Sequence, residues 1–141
     1  MITVDGFAID PPPDFKTEEM TIGLRQQVPP GGSSASLIVQ SKKARPGATL
    51  EELATETVVE LTQSLGGMKN LTRSEVTFAD GGAGAVLAYD WATASGDLRQ
   101  YFVLRLNGER VCSLTLTARR DGVTPESAGP LMKTISSLRL A

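Results

Sequence analysis

Histidine is absent from this chain of 141 residues, and cysteine occurs once, at Cys112. Without histidine the protein lacks the side chain most used for proton transfer near neutral pH and for metal ligation. Ser-His and Cys-His nucleophile pairs are therefore impossible, and no metal or other cofactor is expected. A single thiol excludes an internal disulfide, and the apolar neighbours Val111 and Leu114 mark Cys112 as a small buried hydrophobe. Nor is there a clustered basic surface. The 14 Lys and Arg residues are scattered among 16 acids, and the pI is near 5.2. Nucleic acid is thereby disfavoured as a partner, and so is stable association with anionic membranes.

Long apolar runs are missing too: none approaches the roughly 20 residues that cross a bilayer. The first residues, Met1-Ile-Thr-Val-Asp5, have neither a basic nor an apolar signal region, so a cytoplasmic location is expected. Low-complexity tails and internal repeats are absent, and the length fits one domain over 1–141.

Two motifs that look chemical have plainer explanations. Asp80-Gly-Gly-Ala-Gly-Ala85 is glycine-rich, but it lacks the Lys-Ser/Thr pair and the helix of a phosphate loop, so it is expected to form a hairpin turn. Asp80, Asp90, Asp97 and Asp121 are the candidates for a paired-carboxylate enzyme. Three of them fall at predicted strand ends or turns, where an aspartate bonds its own backbone, so no enzymatic activity is expected.

What the chain does contain is patterned strand. From Gly84 to Ala118 three consecutive antiparallel strands are predicted, the last two joined by Asn107-Gly108, which suits a two-residue type I′ turn. That turn sets Leu106 opposite Glu109. It places Leu98, Gln100, Phe102, Leu104, Val111, Ser113, Thr115 and Thr117 on one face, with Arg99, Tyr101, Val103, Cys112, Leu114 and Leu116 on the other. The first face mixes large apolar groups with Gln, Ser and Thr, a surface suited to receiving something.

Upstream, Val4 to Ile9 reads as a strand ended by Pro11-Pro12-Pro13, and Met20 to Val28 as a strand whose single apolar stripe carries Met20, Ile22 and Leu24. Ser34 to Ser41 follows, with Ser34, Ser36, Ile38 and Gln40 on one side and Ala35, Leu37 and Val39 on the other. Thr49-Leu-Glu-Glu52 is a capping box that opens a helix. Its stripe runs through Leu50, Leu53, Ala54, Val58, Leu61 and Leu65, and Gly66-Gly67 ends it. Leu71 to Phe78 is a further strand. Thr124-Pro125-Glu126 starts a last helix with Ala128, Leu131, Met132, Ile135 and Leu138 inward. Runs of strands broken by two helices predict an α+β domain with an antiparallel sheet of about six or seven strands.

In order and spacing, several short motifs resemble the DcrB-like domain family and, within it, the Eag chaperones of type VI secretion (Rhs-type) effectors. They are Phe7-Ala-Ile9 with the proline loop and Asp14, Ala35-Ser-Leu-Ile-Val39, Thr49-Leu-Glu51, Ala85-Val-Leu-Ala-Tyr-Asp-Trp91, Leu98-Arg-Gln100 and Leu114-Thr-Leu-Thr117. The resemblance covers nearly the whole chain. It implies a PsbP-like fold and a cytoplasmic homodimer that holds the transmembrane helices of a cognate effector before export. It also implies client contacts at Met20, Ile22, Ser36, Leu65 and Gln100. Phe15 stands where the family often has Trp, and Gln40 where a second small hydroxyl is common.

The client-binding set expected from face assignment and resemblance together is Met20, Ile22, Leu24, Ser34, Ser36, Ile38, Leu65, Leu98, Gln100 and Phe102. The apolar members would grip a helix along its length. The small polar ones would let its backbone approach closely. A rival expectation is a structural or envelope-associated DcrB-like module with no client.

Overall fold

Alternating strands dominate the chain, and two antiparallel sheets result. The computed structural model describes residues 2–4, 6–11, 16–19, 25–28, 36–64, 68–93, 96–119 and 132–140. The strands are β1 (Ile2–Val4), β2 (Phe7–Ile9), β3 (Lys16–Glu19), β4 (Arg25–Val28), β5 (Ser36–Lys43), β6 (Met68–Thr77), β7 (Ala83–Thr93), β8 (Gly96–Asn107), β9 (Arg110–Arg119) and β10 (Arg139–Leu140). Helix α1 spans Leu50–Ser64, and residues 132–136 form α2. One sheet has the order β1-β2-β10 and the other β3-β4-β5-β9-β8-β7-β6. The fold is thus α+β, with a main sheet of seven strands.

The stretch predicted as one strand, Val4 to Ile9, is a hairpin instead. Gly6 takes φ +84°, a left-handed conformation that costs glycine little, and Val4 turns back to pair with Phe7. Phe7, Ala8 and Ile9 are all buried, since β10 closes the other side of β2. Strand β10 has no counterpart among the sequence expectations.

The β8–β9 turn also differs from expectation. Asn107 pairs with Arg110, and Leu106 with Val111 rather than with Glu109. Gly108 alone in this turn is left-handed, at φ +59°, so the connection follows the II′ pattern, with glycine at its first central position. The slip moves every cross-strand partner by two residues. Because side chains alternate with period two, both faces keep the membership read from the sequence.

One face of the large sheet is the main core. Leu37 and Val39 of β5, Cys112, Leu114 and Leu116 of β9 and Val103 of β8 pack against Val4, Phe7 and Ile9 of the small sheet and Ile135 and Leu138 at the C-terminal end. Buried Arg105 closes this layer. Its guanidinium donates two hydrogen bonds to the Asp80 carboxylate at 2.8 and 2.9 Å and one to the Leu138 carbonyl at 2.9 Å, and it lies over the Phe78 ring. Asp80 also accepts from the Gly82 amide, as the turn reading expects, and from the Leu140 amide. These donors, Arg105 first, hold the Asp80 carboxyl below the usual carboxylate range.

The opposite face receives α1. The Thr49 hydroxyl accepts from the Glu52 amide at 3.2 Å and caps the helix. The Glu52 carboxylate accepts from Arg45, which also reaches Glu56. The helix carries the chain from β5 to β6, the far edge of the sheet, and packs on β7 and β8. Ala54, on the inner face of the helix, is fully buried, while Leu50, Leu53, Val58 and Leu61 are half-buried. Leu65 and Gly66-Gly67 lie outside the described residues, as do Thr124, Ala128 and Leu131 of the last predicted helix. Ile135 and Leu138 point inward as expected, but Met132 is 43% exposed.

Candidate functional site

The site follows from where α1 stops covering the sheet. Strands β5, β9 and β8 turn Ser36, Ile38 and Gln40, then Ser113, Thr115 and Thr117, then Leu98, Gln100, Phe102 and Leu104 to the α1 face, by registers that pair Ser36 and Gln100 with Thr117, and Ile38 and Phe102 with Thr115. Towards the hairpin end Leu104 and Val111 are buried with Ala54 and Ala85. Farther along, Ser36, Ile38, Thr115, Thr117, Leu98 and Gln100 are all half-buried.

Between the helix and the part of this face nearer the hairpin lies a groove of about 240 Å³. Its wall is Leu53, Glu56, Thr57, Glu60 and Leu61, and its floor includes Gln40, Phe102 and Ser113. The strand spacing leaves room for a second helix beside α1. Strands lie about 4.8 Å apart, so a helix seated over β9 and β5 would have its axis about 10 Å from that of α1, which sits over β7 and β8. That is the spacing at which helices pack side by side.

Gln100 stands on the same face, in the half-buried strip beyond the residues that line the groove. The buried Tyr89 hydroxyl donates to its Oε1, and its Nε2 donates to Thr117 Oγ1 at 3.0 Å. Burial pushes the Tyr89 phenol up to about 12, so it remains a donor across the physiological range. An amide has two N–H donors and two oxygen lone pairs. These two bonds hold the side chain upright and leave one of each for a guest.

Of the ten residues expected to meet a client, Ser36, Ile38, Leu98, Gln100 and Phe102 stand on this one face. Phe102 is shared with the helix, because it packs against the buried cluster under α1. Met20, Ile22, Leu24, Ser34 and Leu65 lie outside the described residues. Sequence reasoning missed Tyr89 and Thr117 as the two groups that orient Gln100, and Leu53 and Leu61 as the groove wall. The hydroxyl pattern of β9 was visible in the sequence. The pairing of Tyr89 with Gln100 was not, because it depends on the β7–β8 register.

Three of the four carboxylates of the enzyme alternative are matched to separate cations, and Asp121 lies outside the described residues. Asp90 sits inside β7, 1% exposed, accepting from Arg99 at 3.2 Å and from Asn70 at 2.9 Å. Asp97 pairs with Lys69 at 2.7 Å, and Asp80 with Arg105. Among the described residues no group of His, Cys, Asp and Glu could hold a metal ion, and no helix is long and apolar enough to cross a membrane.

No protein-family model matches the sequence, and no curated protein is similar enough to count as a relative. Solved structures place the fold. The solution structure of cyanobacterial PsbP from Synechocystis sp. PCC 6803 superposes with a TM-score of 0.70 at 17% identity, over 97% of this chain and 88% of that one. PA94 from Pseudomonas aeruginosa, a protein of unknown function, matches at 0.65 and 16% identity, over 91% of this chain and 98% of its own. LpqN of Mycobacterium tuberculosis, which is involved in cell envelope biogenesis, matches at 0.61 and 14%, over 96% and 83%. The fold is PsbP-like, and identities this low establish the fold alone.

Proposed function

We propose that the protein is a non-enzymatic chaperone or adaptor that cradles a hydrophobic helix of a cognate secreted effector in the cytoplasm. A transmembrane segment of a type VI effector, held until export, is the client that the Eag resemblance suggests. The observation that carries this reading is the half-buried strip of Ser36, Ile38, Gln100, Thr115 and Thr117, one helix-width wide and flanked by α1. Ile38, Leu98 and the exposed edge of Phe102 supply apolar contact. The short hydroxyls let a guest backbone come close, and the remaining N–H and lone pair of Gln100 are there for its polar atoms. A surface of this kind invites aggregation when left bare, which is a reason for a client to be held there, and the homodimer that the resemblance implies is part of this reading.

The test is co-expression with candidate effector amino-terminal segments, followed by a pull-down. Ile38→Asp combined with Gln100→Ala should abolish capture while the circular dichroism spectrum stays that of the folded parent, with a lower melting temperature because the buried Tyr89 hydroxyl loses its acceptor. Capture that survives this pair would overturn the reading.

The envelope-associated module without a client is the second reading, favoured by the shared fold with LpqN. The same pull-down separates the two. A client-free module would retain none of the helical segments, and fractionation of cells would find it with the envelope.

A further inference from the structure

Strand β6 is the outer edge of the seven-stranded sheet, ten residues long, and nearly all of it is exposed. Such an edge offers unpaired N–H and C=O groups to another chain, and proteins usually blunt it with charge or with a bulge. Here the bulge lies between Lys69 and Thr72, which leaves Thr72–Thr77 as a regular stretch with Ser74 near its middle. The Phe78 amide bonds the Gly82 carbonyl, so the even-numbered residues of β6 bond to β7 and the backbones of Arg73, Glu75 and Thr77 turn outward.

We propose that β6 pairs antiparallel with β6 of a second copy, about a two-fold axis through Ser74. Backbone alternation limits the registers, because an outward-facing residue must meet another outward-facing one. An axis through Arg73 would oppose two arginines, and one through Glu75 would oppose two glutamates. The axis through Ser74 sets Arg73 of each copy against Glu75 of the other, twice, as the isologous symmetry of a dimer requires. Directly opposed unlike charges favour a strand pair and like ones oppose it. Charges that would keep strangers off the edge are thus self-complementary.

Arg73 is already positioned. Its guanidinium donates to Thr55 Oγ1 at 3.1 Å and to the Glu51 carbonyl at 3.3 Å, which holds it against α1 on the same face as Glu75. The two copies of α1 would lie on one side of the joined sheet. With each helix over β7 and β8, they stand about 19 Å apart, wide enough to avoid collision. The surface is distinct from the client groove, and a dimer formed there does not depend on the client reading.

Sedimentation equilibrium of the full chain tests it. The parent should form dimers, and Glu75→Arg should weaken them at least tenfold while the melting curve is kept. Arg73→Glu added to Glu75→Arg should restore association to within about threefold of the parent. Ser74→Cys supplies an independent readout: its two copies would sit in a non-hydrogen-bonded pair, about 4.5 Å apart at Cα, within disulfide reach. Mild oxidation should then cross-link Ser74→Cys but not Thr77→Cys. A parent monomeric at every concentration, a dimer indifferent to Glu75→Arg, or equal cross-linking at both cysteines would overturn the proposal. A Glu75→Arg monomer that still captures a client would leave the client reading standing.

Discussion

Leu114 and Thr115 are neighbours in β9, yet they belong to different parts of the molecule. Leu114 is fully buried in the layer shared with the small sheet, packed in one apolar cluster with Leu37, Val39, Val103 and Leu116. Thr115 lies half-buried on the other face, between Ile38 of β5 and Phe102 of β8. The same three strands, β5, β9 and β8, thus supply a dry face that holds the fold and a mixed face only partly closed by α1. Stability is concentrated on one side of the sheet, which leaves the other free to be specified by what it binds. This division explains how hydroxyls and an amide can sit in mid-sheet at little cost: they are partly wet, and Gln100 is satisfied by Tyr89 and Thr117.

The division predicts unequal costs, the largest on the dry face. Leu114→Ala should lose about 2–5 kcal/mol in denaturant unfolding, the range for a buried leucine that leaves a cavity. A loss below about 1 kcal/mol would mean that this face is not the main core. Gly84→Ala probes the same side by overfilling it. A methyl there would stand 2.5 Å from the Phe78 ring and 2.7 Å from the Leu104 carbonyl oxygen, both too close. The expected cost is about 1–3 kcal/mol, read from the same unfolding curves.

Acid should act at the rim of the dry face. The Asp80 carboxyl is held below its ordinary value, chiefly by Arg105, so its contribution is present above the unfolded value of about 3.9 and is lost as pH falls through the folded one. Asp80→Asn should therefore be less stable than the parent by a margin that is flat from about pH 5 upward and shrinks below about pH 4. A margin that does not change with pH would show that Asp80 acts through shape alone. On the α1 side the cost falls further. Thr49→Ala, which removes the helix cap, should lose only about 1 kcal/mol.

Much of this plan was legible in the chain, because side-chain alternation needs no long-range knowledge. Which residues share a face survived even the misassigned β8–β9 turn, since a slip of two residues preserves parity. The helix start at Thr49 and the Asp80 turn were also local signals, and both bonds are present. What escaped depends on groups distant in sequence. The burial of Arg105 rests on Asp80 and on the Leu138 carbonyl, 25 and 33 residues away. Strand β10 forms only because β2 is there to receive it. The partner of Asp90 escaped as well, because nothing nearby in sequence shows that Asn70, 20 residues earlier, would meet it inside the sheet. Gly6 was overlooked because a glycine within an apolar run reads as a weak strand position, although it here reverses the chain.

The smallest effect on stability is the sharpest test of the division. Thr115→Val keeps the branched shape at a half-buried strand position and removes one hydroxyl, so unfolding should change by no more than about 0.5 kcal/mol. Its consequence should appear in capture instead. If a guest helix lies across β9, the lost hydroxyl removes one hydrogen bond worth about 1 kcal/mol, and affinity for a helical client segment should fall about fivefold. The neighbouring Leu114→Ala should do the reverse, lowering stability while the folded fraction keeps its affinity. Should Thr115→Val destabilise the fold as much as Leu114→Ala does, the two faces would be one core. The half-buried strip would then be packing within the protein, not a surface kept for another chain.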